Sequence, residues 1–107
     1  MKYIIDEKEE YDDVEDLKER VSDIIYNCIT DNQLEQYIDT YNDEILINNE
    51  IYQPGTMLRL AHPFQFNEVR VDMADYLYDN FISDIEVIGV GEYHIPFIGL
   101  RIIVKEE

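Results

Sequence analysis

Carboxylates recur once per helical turn in three separate stretches of this sequence, each opposite an apolar stripe of the same period. Between residues 12 and 29, Val14, Leu17, Val21, Ile24, Ile25 and Cys28 repeat at helical spacing. Asp12, Glu15, Asp16, Glu19 and Asp23 gather on the opposite side, with Lys18 and Arg20 on the flanks. Thr30 with Gln33 matches a capping box and opens a second helix to Tyr41. Its stripe is Leu34, Tyr37, Ile38 and Tyr41, and its acids Asp31, Glu35, Asp39 and then Asp43 advance four residues at a time. In a third helix, running from a cap at Asn67 to Ile82, Val69, Met73, Leu77 and Phe81 face inward while Glu68, Asp72, Asp75 and Asp79 lie in one line. A chain written this way must bury one side of three helices and leave the acidic sides in water.

The remaining segments supply the surface those helices need. Tyr3–Asp6 reads as a short strand, followed by the acidic run Asp6 to Glu10. Ile45–Tyr52 reads as a small hairpin turning at Asn48-Asn49. Pro54-Gly55 punctuates the chain, Thr56–Ala61 supplies one or two turns of helix, and Pro63 forces a break. Ile85–Tyr93 and Phe97–Val104 read as two strands joined around His94-Ile95-Pro96, the last one apolar on both faces and so central in its sheet. The expected fold is a single α+β domain over residues 1–107. Three amphipathic helices pack on one face of a small, mainly antiparallel sheet that ends in a C-terminal hairpin.

Charge narrows the classes of partner. Of 107 residues, 25 are Asp or Glu and 8 are Lys or Arg, a formal charge of −17. Sixteen Ile and nine Tyr set the chain apart from acidic disordered tails, which lack the apolar residues whose burial offsets ordering entropy. Nucleic-acid phosphates and anionic membrane surfaces both repel such a surface, so the electrostatic partners left are basic proteins and multivalent cations. The longest apolar run, Ile102-Ile103-Val104, is far too short to span a bilayer, and the first residues lack an export signal's apolar core. A lone cysteine, Cys28, excludes an internal disulfide and is expected to fill a small core position. The expected location is the cytoplasm.

Chemistry-bearing motifs fail one by one. Asp39 to Glu50 has the length of an EF-hand loop, but Tyr41 and Glu44 occupy positions that need a ligand and a glycine. Gly89-Val90-Gly91 lacks the third glycine and the following helix of a phosphate loop, and glycines in a strand serve bulges or close packing. His62 and His94 are isolated, and Ser22 and Ser83 have no nearby histidine. Arg70, on the apolar side of its helix, is expected to snorkel or to pair with a carboxylate, and the tyrosines to edge the core, a few anchoring a protein interface. The expectation is a binding protein with no catalytic residue, metal or cofactor.

The ladders remain. Like charges one turn apart destabilise a helix by about 0.2–0.5 kcal/mol per pair, a penalty that a few lysines would remove. Six acids between Asp12 and Asp23 amount to roughly one charge per 3 Å of helix, close to the ~3.4 Å phosphate spacing along one strand of duplex DNA. In size, acidity and these ladders the chain resembles the phage and mobile-element inhibitors that imitate DNA, among them anti-restriction proteins, anti-CRISPR proteins and inhibitors of uracil-DNA glycosylase. The resemblance includes no diagnostic motif. It implies a basic nucleic-acid-binding protein as partner, a host defence or DNA-processing factor whose groove the acids occupy in place of phosphates. The alternative is a small phage or bacterial structural or regulatory module whose acidity serves only solubility. A homodimer is compatible with either. On charge alone the protein is expected to leave duplex and single-stranded DNA unshifted in an electrophoretic mobility assay at physiological salt, and a saturable complex there would contradict the reading.

Overall fold

Local signals set where each element begins. A computed structural model describes residues 1–106. Strand β1 (Lys2–Ile5) turns into β2 (Glu9–Tyr11), and helices α1 (Val14–Asn27) and α2 (Asp31–Tyr41) follow. A hairpin, β3 (Ile45–Ile47) and β4 (Glu50–Tyr52), leads to α3 (Pro54–Ala61) and the long α4 (Pro63–Ile85), and β5 (Gly91–Ile95) and β6 (Leu100–Lys105) close the chain. The sheet order β2-β1-β6-β5 is antiparallel throughout, and β3–β4 forms a separate two-stranded sheet. The expected α+β class and C-terminal hairpin are both present, and β6 lies between β1 and β5.

One face of the four-stranded sheet receives α1 and α4, and α2 and α3 pack on α4 and on each other. Ile5, Ile95, Leu100, Ile102 and Val104 point into a core completed by Leu17, Val21 and Ile25 of α1, Leu34 and Ile38 of α2, and Met73, Leu77, Phe81 and Ile85 of α4. Helix α4 is the spine, flanked by α1 on one side and α2 on the other. Contacts from Lys18 to Glu86 and from Tyr26 to Asp75 make α1 antiparallel to it. Arg70 sits where the sequence suggested, its guanidinium bonded to Asp31 and to the Ile29 carbonyl, so it ties the start of α2 to α4. The molecule is long, 59 × 23 × 22 Å, with a radius of gyration of 16.6 Å against roughly 13 Å for a compact chain of this length.

Several boundaries differ from the sequence reading, each for a local reason. The Asp13 carboxylate accepts from the Glu15 N–H at 2.9 Å and caps α1, so Asp12 precedes the helix. Helix α1 stops at Asn27. Cys28, as its C-cap, is exposed rather than in the core. The Thr30–Gln33 capping box forms as expected, with bonds of 3.2 and 2.9 Å. Asn42 ends α2, its side-chain amide bonding the Ile38 carbonyl, and Asp43 lies beyond the helix.

Pro63 breaks the α3 ladder but opens α4 as its first residue, four positions before the expected cap at Asn67, because a missing N–H costs nothing at N1. Helix α4 continues to Ile85, which shortens the strand expected from there, and the last turn falls on Pro96–Gly99 instead of His94–Pro96. Strand β2, made of Glu9, Glu10 and Tyr11, was not foreseen, because acids are depleted in strands and here blunt an edge.

Gly55 fixes how α3 crosses α2. Its N–H donates to Asp39 Oδ1 at 2.8 Å, and a Cβ there would lie 2.6 Å from the Glu35 carbonyl oxygen and 2.8 Å from the Glu35 Cα. Both obstacles are backbone, so Gly55→Ala is expected to lower unfolding stability by about 1–3 kcal/mol in urea titrations. An unchanged midpoint would show that α3 is not held closely to α2.

Candidate protein-binding face

Acidic residues outnumber cations three to one, so the informative question is which acids the cations select. Lys2 pairs with Glu10, Arg20 with Glu9, Arg59 with Glu35, Arg70 with Asp31, Lys18 with Glu15 and Glu86, and Arg101 with Glu7 and Glu92. Six of the eight Lys and Arg residues are thus engaged. Arg20 on Glu9 and Arg101 on Glu92 hold those two carboxyls below the ordinary carboxylate range. None of these partners is Asp16, Glu19 or Asp23 of α1, nor Glu68, Asp72, Asp75 or Asp79 of α4. Among the described residues, those seven exposed carboxylates have no cation within 4.0 Å.

The second ladder is employed inside the protein. Asp31 receives Arg70, Asp39 receives the Gly55 N–H, and Glu35, its side chain 14% exposed, meets Arg59. The Arg59 Nε and Glu35 Oε1 atoms lie 3.0 Å apart without hydrogen-bond alignment, so their attraction is Coulombic. These three acids dock α3 and α4 onto α2, and only Asp43, beyond the helix, stays free. In the first ladder Glu15 is likewise spent on Lys18, at 3.4 Å.

What is left lies on the outer sides of two neighbouring helices. The acidic file of α4 points directly away from Met73, Leu77 and Phe81, so it lies on the outer side of the helix layer. On α1, Asp16, Glu19 and Asp23 line an open depression of about 270 Å³ together with Tyr11 and Arg20. A tyrosine joins the two helices: the Tyr26 hydroxyl, one turn beyond Asp23, donates to Asp75 Oδ1. From the α2 side, Tyr41 and Tyr76 meet hydroxyl to hydroxyl at 3.1 Å, over Tyr37 and Phe97. Exposed tyrosines therefore flank the α4 carboxylates on both sides, an amphipathic rim suited to a protein surface. Their number is plain in the sequence, but their convergence on α4 depends on the order of helices in the layer.

The chemistry of this face is electrostatic. No helix of the described residues is long and apolar enough to cross a membrane, and no group of three or more His, Cys, Asp or Glu among them is placed to hold a metal ion. No protein family, curated protein or solved structure matches the chain.

Tyr26 reports the local field. The bond to Asp75, then burial, then the charges of Asp75 and Asp79 push its phenol up to about 12. A raised acid favours the protonated phenol, so its contribution is whole below pH ~10 and is lost as pH rises through about 12. Asp75→Asn is expected to bring one tyrosine back toward its ordinary ionisation near pH ~10 in an ultraviolet absorbance titration. A titration curve identical to the parent's would mean that Tyr26 does not rest on Asp75.

Proposed function

We propose that the protein is a binding inhibitor whose α1–α4 face enters the nucleic-acid groove of a basic host defence or DNA-processing protein. The observation that carries this reading is the partition of charge. Six cations pair with acids elsewhere, two of which, Asp31 and Glu35, dock α3 and α4 onto α2, and none lies within 4.0 Å of the seven carboxylates on α1 and α4. An acidic surface meant only for solubility gains from interspersed lysines, because opposite charges one turn apart stabilise a helix and like charges weaken it. The α4 file from Glu68 to Asp79 spans roughly 17 Å at ~1.5 Å per residue, close to the axial rise of about five base pairs at ~3.4 Å each. The mechanism is competitive occlusion, with carboxylates meeting groove Arg and Lys, and the tyrosine rim adding contact area.

Two charge-reversal variants test this. One changes Asp16, Glu19 and Asp23 to lysine; the other changes Glu68, Asp72 and Asp79, leaving the Asp75–Tyr26 bond intact. All six positions are exposed, so both chains are expected to fold with the parent's circular dichroism. The parent, immobilised, should capture from host lysate a protein that added duplex DNA or raised salt releases, and neither variant should retain it. Capture that ignores DNA competition, or that both variants reproduce, would leave the acidic face as a solvated surface.

A further inference from the structure

The acidity stops abruptly in one part of the chain. Residues 45–67 contain one acid, Glu50, and one base, Arg59, while the rest carries the other 24 acids and 7 bases. This segment, neutral inside a chain of −17, gathers a cluster of exposed apolar side chains, while Val71, Val87 and Val90 stand exposed outside it. Leu46 is 68% and Ile51 63% exposed on one side of the β3–β4 hairpin, and Ile45 and Ile47 are exposed on the other. Ile45 also borders a groove of about 280 Å³ lined by Pro54, Met57, Leu58, Ala61 and His62. Within two residues of that lining, Leu60 is 74% and Phe64 76% exposed.

A two-stranded hairpin is marginally stable by itself in water, and this one is apolar on both faces with both outer edges open. Left uncovered, it is a template for strand pairing and hydrophobic association. We infer that the β3–β4 hairpin and the adjoining α3–α4 corner form a homodimer interface, and that the partner is a second copy of this chain.

Charge selects that occupant. Residues 45–67 offer a cationic partner one carboxylate, with Asp43 and Glu44 at their border, while the seven carboxylates without a cation within 4.0 Å among the described residues stand on α1 and α4. An anionic partner finds a single arginine, already engaged by Glu35. Two copies joined by this segment bring net-neutral surfaces together, whereas contact through the outer faces of α1 and α4 joins two acidic ones. Self-pairing about a two-fold axis needs only a patch complementary to itself, which an apolar hairpin with free edges provides. Area allows it. Leu60 and Phe64 with the side chains on one side of the hairpin present on the order of 500 Å² per copy, close to the low end of the ~600–1,000 Å² per partner of a standard interface. The interface is independent of the acidic face and would stand if that face bound nothing.

Sedimentation equilibrium of the full chain over a wide concentration range tests it. The parent is expected to fit a monomer–dimer equilibrium built on the 12.8 kDa chain, and added salt should leave the association unchanged or strengthen it. Leu46→Asp with Ile51→Asp should weaken it roughly 100-fold or more at unchanged circular dichroism, because two charges would be buried in an apolar contact. Phe64→Asp, in a different element, should weaken it as well and serves if the hairpin variant misfolds. The Asp16, Glu19 and Asp23 lysine variant should dimerise at least as well as the parent. A parent that stays at 12.8 kDa at every concentration overturns the proposal and leaves the patch to another protein. Folded variants at both Leu46/Ile51 and Phe64 that dimerise like the parent overturn it too.

Discussion

The seam between α1 and α4 holds together two helices whose outer faces repel. Leu17, Val21 and Ile25 are fully buried with Met73, Leu77 and Phe81, and each such side chain contributes about 1.5–3 kcal/mol on leaving water. Against this, each like-charged pair one turn apart on the outer faces costs about 0.2–0.5 kcal/mol. Burial wins by several-fold, which is why the carboxylates can be left uncompensated without losing the fold. The sheet follows from the same seam. Phe81 and Ile85 continue the stripe of α4 onto Ile95, Ile102 and Val104, and the helices cover only the sheet face to which those strand residues point.

Three uses of charge divide the molecule. Some acids cap and dock: Asp13 opens α1, while Asp31, Glu35 and Asp39 fix α2 against α3 and α4. Others, with Arg101 and Arg20, clasp the sheet and its border with α1. A third set, on α1 and α4, has no cation within 4.0 Å among the described residues. Distinct from all of these is the stretch from β3 to the start of α4, where a cluster of exposed apolar side chains stands with one acid and one base. Acidic face and apolar arm thus suit different kinds of contact, one steered by salt-sensitive fields and the other by dehydration.

Long amphipathic helices were legible because burial imposes their period, and Leu17–Val21–Ile25 and Met73–Leu77–Phe81 face inward as their spacing requires. The capping box at Thr30 and the Asn48-Asn49 turn were legible because each encodes a specific backbone geometry, and both asparagines adopt positive φ, 50° and 67°. Strand β2 was not, since three residues with two acids carry no apolar alternation and pair only because β1 offers an edge. Cys28 fell on the apolar side of an ideal wheel, but the helix ends before it. For the face itself, sequence spacing identified every carboxylate yet treated three ladders alike. Pairing separated them, and pairing depends on cations far away in sequence: Arg59 reaches Glu35 and Arg70 reaches Asp31 only after α3 and α4 fold over α2.

Stability measured against ionic strength decides whether the outer charges are uncompensated within the chain. Raising sodium chloride from about 10 mM to about 150 mM shortens the screening length from about 30 Å to about 8 Å. The parent's unfolding free energy in urea should rise over that interval. The rise should shrink markedly when Asp16, Glu19, Asp23, Glu68, Asp72 and Asp79 are replaced by their amides. Stability that is flat or falls with salt in the parent, or a rise the amide variant keeps in full, would mean that these carboxylates are already balanced and have no need of a partner's cations.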